Sequence, residues 1–135
     1  MTIANTAVLI AAVMPVITMG IAKASTAGKK RSQGGYDNNN PREWTGKLEG
    51  WRARAAAAQN NGFEALPLFV FGVLAAQMAG LDQARTDQLA MIFIGLRIVY
   101  TIIYFANIAA LRSLVWAVAL GVNIAIFAPT LKLPF

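Results

Sequence analysis

Glu64 is the residue hardest to account for by structure alone. It lies in the run Arg54-Ala-Ala-Ala-Ala-Gln59-Asn60-Asn61-Gly-Phe-Glu64-Ala-Leu-Pro67-Leu-Phe69, where a carboxylate and three amides interrupt a long apolar segment. A charge at the centre of a lone membrane helix costs at least ~2.5–3.5 kcal/mol, so Glu64 is expected to face a protein interior or a ligand cavity rather than lipid. On a helix, Arg54, Ala57, Asn61 and Glu64 fall within an arc of roughly 80° at 100° per residue. A second polar stripe follows, with Arg97, Tyr100 and Tyr104 within roughly 60° and Asn107 beside them; Arg112-Ser113 comes shortly after. Counted from one membrane face, Glu64 and Arg97 both reach a depth of roughly 20 Å, which makes them expected partners. A Glu64–Arg97 pair that only fixes helix register is one reading. A ligand site is the other, and it also accounts for Asn61, Tyr100, Tyr104 and Arg112.

The chain contains no cysteine and no histidine. Disulfide frameworks, thiolate zinc sites, a cysteine nucleophile of the protein's own and any His-based triad are therefore excluded, and no metal site is expected. Thiol chemistry, if there is any, has to come from a substrate.

The elements that must position these residues are membrane helices. Hydrophobic residues make up 57% of 135 positions and charged residues 13%, with a mean hydropathy of +0.52. Four apolar segments, at about 6–22, 51–79, 88–109 and 113–128, each approach the ~20 residues that cross a hydrocarbon core of ~30 Å. The reading is a single all-α domain over 1–135, an integral membrane four-helix bundle. Pro15 predicts a kink near Met14 in the first segment, and Pro129 and Pro134 mark the end of the last. Lys23 to Arg31 follow the first segment and no basic region precedes it, so it reads as a retained helix rather than a cleaved signal.

Residues 24–50 form a polar loop whose Gly34-Gly35 and Asn38-Asn39-Asn40-Pro41 favour turns over regular structure. The formal charge of +6 is concentrated there, in Lys23, Lys29, Lys30, Arg31, Arg42, Lys47, Arg52 and Arg54, against Arg85 and the tail residue Lys132 on the other side. Positive-inside counting puts this loop in the cytoplasm and both termini outside, in a multi-pass protein expected in a bacterial inner membrane. Membrane topology and attraction to anionic lipid explain the basic cluster more simply than nucleic acid does. Tyr36, Trp44 and Trp51 suit the membrane–water boundary, Thr86 or Asp87 is expected to cap the third helix, and the small residues Ala55 to Ala58, Gly72 and Gly80 allow close helix approach.

The two polar stripes together resemble the membrane-associated proteins in eicosanoid and glutathione metabolism, which include the microsomal glutathione transferases. Asn61-x-x-Glu64 followed by Pro67-Leu68-Phe69 is similar to the family signature on the second helix, and Arg97-x-x-Tyr100-x-x-x-Tyr104 followed by Arg112-Ser113 is similar to its third and fourth helices. The resemblance covers nearly the whole chain. It implies a homotrimer of four-helix protomers, with glutathione as co-substrate held between neighbours and a lipophilic small molecule as second substrate. It further implies that Arg54 and the basic loop hold carboxylates, Asn61 and Glu64 receive the γ-glutamyl amine and backbone, Tyr100 and Tyr104 contact the peptide, Arg112 acts at the thiol with Tyr104 facing it, and Arg97 and Ser113 belong to the same glutathione site. Family members known for catalysis usually carry an arginine seven residues before the glutamate, where this chain has Ala57. The function implied is thus a glutathione-dependent transferase or peroxidase, and the alternative is a non-catalytic trimeric scaffold or accessory subunit. An ion channel or transporter fits less well, since four short helices show neither internal repeats nor a polar pore lining.

Overall fold

The computed structural model describes residues 1–131; Lys132 and Pro134 of the tail lie outside the described residues. Helix α1 runs over Ile3–Ala24, a short α2 over Pro41–Gly46, α3 over Gly50–Met78, α4 over Gln83–Ala106 and α5 over Ala109–Phe127. Single 3-10 turns occupy Arg31–Gln33 and Ala128–Thr130, and no strand occurs among the described residues. By length and composition α1, α3, α4 and α5 with its closing turn can each cross a membrane. This is an all-α, multi-pass membrane bundle.

Helices α1 and α5 each pack on both α3 and α4 but not on each other among the described residues. Small residues set the α1–α3 distance. Ala4, Ala7 and Ala11 are buried, and Gly62 lies so close to Pro15 that an added Cβ would stand 2.7 Å from its Cγ. The α3–α5 approach is also close, since a Cβ on Gly72 would touch Ile126 at 3.5 Å. Between them lies an apolar core in which Phe69 stacks on Phe93 at 4.2 Å between ring centres, flanked by Val73, Ala90, Ile94 and Ile126. The outward faces are apolar too, with Val16, Ile17, Phe71, Ile102, Leu114 and Ile124 exposed, as a surface in contact with lipid tails requires.

At the end of the bundle opposite the long loop, polar side chains join three helices. The Thr2 hydroxyl accepts from the Asn5 amide at 3.2 Å, and Asp87 accepts from the Ala4 amide at 2.8 Å. Both satisfy orphan donors in the first turn of α1, and the carboxylate also matches the positive end of the helix dipole. Gln77 donates to Thr2 and Asn5 from α3. Asp87 is thus committed to α1 and does not cap α4. The cap is Asp82, which accepts from the Ala84 amide at 3.0 Å, so α4 starts at Gln83 rather than near residue 88.

The other end of α4 also differs from the sequence expectation. Asn107 adopts φ 61°, and amides 107 and 108 bond back to the carbonyls of Tyr104 and Ile103. This Schellman closure stops the helix at Ala106, three residues early, because Asn tolerates the left-handed conformation. α5 then begins at Ala109, which places Arg112 and Ser113 inside its first two turns instead of at its cap.

The 24–50 segment is more ordered than its composition suggests. Pro41 opens α2, and Trp44 is buried, donating from its indole to the Gly34 carbonyl at 3.1 Å and meeting Tyr36 edge-on at 5.0 Å. It packs with Met19, Ala22, Ala55 and Ala56, so Trp44 fastens the loop to α1 and α3 instead of resting at the lipid boundary. Asp37 lies below the ordinary carboxylate range, chiefly through the Asn39 amide and then through Asn40 and Arg31; Arg31 is 3.3 Å away.

Candidate functional site

The helix ends just described fix where the polar stripes meet. A cleft of about 440 Å³ is lined by Asn61 of α3, Tyr100 and Tyr104 of α4, and Arg112, Ser113 and Trp116 of α5. A second cavity of about 190 Å³ is lined by Asn61, Glu64, Arg97, Trp116 and Asn123, with apolar walls that include Leu68 and Phe93. Asn61 and Trp116 line both, so the two spaces adjoin.

Four side chains form a continuous row along α4 and onto α5. The Arg97 guanidinium lies 4.3 Å from the Tyr100 ring centre, Tyr100 meets Tyr104 edge-on at 5.5 Å, and the Arg112 guanidinium lies 4.4 Å from the Tyr104 ring. Each cation faces the electron-rich face of a ring, which orients it while leaving its N–H donors for other acceptors. Arg97 and Tyr100 are 3% and 4% exposed.

The expected Glu64–Arg97 ion pair is not formed. Among the described residues the only ion pairs within 4.0 Å are Arg31–Asp37 and Lys47–Glu43. Glu64 accepts instead from Asn61 at 3.3 Å, and Arg97 lies over Tyr100; both residues still line the same cavity. Glu64 is exposed in the protomer, and the Asn61 Oδ1 is buried without a hydrogen-bond partner.

Arg54 makes a contact within the protomer that the sequence did not suggest. Its Nε and Nη2 donate to the Phe105 carbonyl at 3.2 and 3.0 Å, and it lines neither the cleft nor the cavity. Because α4 ends at Ala106, that carbonyl lacks an intrahelical donor, and Arg54 supplies one across the bundle. Arg52 is likewise engaged, donating to the Ser25 hydroxyl at 2.7 Å.

Two lining residues were not singled out from the sequence as members of the site. Trp116 and Asn123 follow Arg112 by four and eleven positions, which puts all three on one face of α5. Asn123 is 2% exposed, and among the described residues its Oδ1 has no hydrogen-bond partner. A lone amide in the apolar run that follows Ser113 was the available signal.

An all-helical, multi-pass membrane bundle with a polar cleft built from three of its helices is the class these features define. The model of the MAPEG family matches residues 3–131, and the chain belongs to that family. The family is one associated with glutathione. Comparisons with curated proteins and with solved structures gave no match.

Proposed function

We propose that the protein is a membrane-bound, glutathione-dependent transferase or peroxidase acting on hydrophobic electrophiles or lipid hydroperoxides. The observation that carries this reading is the convergence of Asn61, Tyr100, Tyr104, Arg112 and Ser113 on one cleft, adjoining a cavity that holds Glu64 and Arg97. Glutathione presents two carboxylates, an ammonium and a thiol. Arg97, with no carboxylate within 4.0 Å among the described residues, offers an N–H fork to a carboxylate, and Asn61 and Glu64 offer acceptors to the ammonium. Tyr100 and Ser113 supply hydroxyls for the peptide.

Arg112 and the Tyr104 hydroxyl act at the sulfur. A positive charge beside a thiol lowers its pKa from about 8.5, so the proton leaves to solvent and the thiolate is held. The thiolate then forms a carbon–sulfur bond to an electrophile, whose leaving group departs with the bonding pair. With a hydroperoxide it takes the terminal oxygen and releases an alcohol, and a second thiol converts the resulting sulfenic acid to a disulfide and water.

The active unit in this reading is a homotrimer in a bacterial inner membrane with the 24–50 loop cytoplasmic. Glu64 supports the oligomer, since an exposed carboxylate at mid-membrane depth needs a neighbouring protomer or a ligand to cover it. The other reading, a non-catalytic scaffold, is favoured by Ala57, which brings no cation to the position where catalytic relatives carry arginine. Isothermal calorimetry of glutathione into detergent-purified protein separates them. Micromolar to low-millimolar binding, lost in Glu64→Gln and kept in Arg112→Ala with a raised thiol pKa, is the expected result. No binding by a folded oligomer leaves the scaffold.

A further inference from the structure

Asn123 is a buried amide that the glutathione reading leaves unused. It is 2% exposed, its Oδ1 has no hydrogen-bond partner among the described residues, and it lines the cavity that also holds Glu64, Arg97 and Asn61. A buried carbonyl oxygen without a donor costs about 1–3 kcal/mol and calls for an explanation. Packing does not supply one, because an apolar residue of similar size would fill the same space without that cost.

The cavity contains a second orphan of the same kind, the Asn61 Oδ1, next to the Glu64 carboxylate that Asn61 bonds through its amide nitrogen. Three acceptors thus line one cavity, two of them unpartnered among the described residues, with one guanidinium that meets no carboxylate within 4.0 Å among those residues. An asparagine amide turns readily about its last bond, where the torsional profile is broad and nearly two-fold, so the Asn123 oxygen can be presented to a donor in the cavity. A primary ammonium has three N–H donors and no acceptor. An α-amino acid head carries that ammonium together with a carboxylate that Arg97 can take. The space, about 190 Å³, is that of about six waters at ~30 Å³ each.

We propose that Asn123 is a specificity-determining residue. Its oxygen completes, with Glu64 and Asn61, a three-acceptor receptor for the free ammonium of the thiol co-substrate, so the site selects ligands with an unmodified α-amino acid head. The inference rests on the glutathione reading and deepens it. An acylated or missing amine leaves Asn123 unpartnered and Glu64 without its countercharge. Hydrogen bonds to charged groups of this kind correspond to about tenfold or more in affinity.

The test is calorimetric titration of the full-length protein in detergent with glutathione, N-acetylglutathione and the deamino analogue glutaryl-cysteinyl-glycine, for wild type and Asn123→Leu. Wild type is expected to bind glutathione at least about tenfold more tightly than either analogue. Asn123→Leu is expected to lose affinity for glutathione while keeping that for the deamino analogue, so the preference shrinks to what Glu64 and Asn61 supply. Equal weakening of all ligands in Asn123→Leu, or an unchanged preference, assigns Asn123 to packing and overturns the proposal. Should Asn123→Leu fail to fold, Asn123→Ala takes its place with the same two outcomes, and equal affinity of wild type for glutathione and its deamino analogue overturns the proposal as well. Absence of binding by all three ligands to wild type marks failure of the glutathione reading itself, which selective failure at Asn123 does not.

Discussion

Residue by residue, the glutathione reading separates charges that would meet a ligand from charges that hold the bundle. Arg112 and Tyr104 share a stacked contact at 4.4 Å, and Tyr104→Phe keeps the ring while removing the hydroxyl. In the transferase reading this variant is expected to fold normally and to lose about tenfold in rate with a model electrophile, the worth of one hydrogen bond to the thiolate. Loss of thermal stability in place of rate would assign the hydroxyl to packing. Arg54 is predicted to behave in the opposite way. Because its two donors reach only the Phe105 carbonyl, Arg54→Ala should lower unfolding stability by about 1–2 kcal/mol and leave the glutathione Kd unchanged. A Kd raised tenfold would return Arg54 to the ligand. Residue type alone does not tell Arg54 from Arg112; their partners do.

At the scale of elements, close approach and helix ends decide the geometry. The Pro15 ring is rigid and lies against Gly62, so Gly62→Ala is expected to push α1 from α3 and cost about 1–3 kcal/mol by thermal unfolding in detergent. Gly20→Ala, where an added Cβ meets nothing within 4 Å, is the control expected to change little. The loop carries a pH-dependent fastening. Asp37 has its pKa lowered in the folded state, mainly by the Asn39 amide, so its contribution is fully present above the unfolded carboxylate value of about 3.9 and is lost as the pH falls through the lower folded one. Fluorescence of Trp44, read with the other two tryptophans replaced by phenylalanine, should change on acidification in that window. Asp37→Asn should abolish the change, and a transition persisting in it would place the responsible group elsewhere.

For the whole molecule, a lone protomer leaves Glu64 exposed on a helix long and apolar enough to cross a membrane, which is the physical ground for expecting an assembly. Native mass spectrometry from detergent is predicted to show three copies, and a monomer that still binds glutathione would remove the need for a neighbour. Topology has a direct test, because the chain has no cysteine. Ser32→Cys is then the sole thiol, and a membrane-impermeant maleimide should label it in inside-out vesicles and not in right-side-out ones. What the sequence determined by itself was the inventory. Four apolar segments follow from the ~20 residues that hydrocarbon demands, and polar stripes on α3 and α4 follow from helical period, so Asn61, Glu64, Arg97, Tyr100 and Tyr104 were legible before any fold was known. Only the tertiary structure decided the pairings. Asp82 capped α4 because Asp87 was taken by the Ala4 amide of α1, and Asn107 closed that helix early, which exposed the carbonyl that engaged Arg54. Helix α5, seated against Gly72, turned Asn123 toward the cavity. Those outcomes arise from competition between donors and acceptors on different helices, and such competition leaves no periodic trace along a single chain.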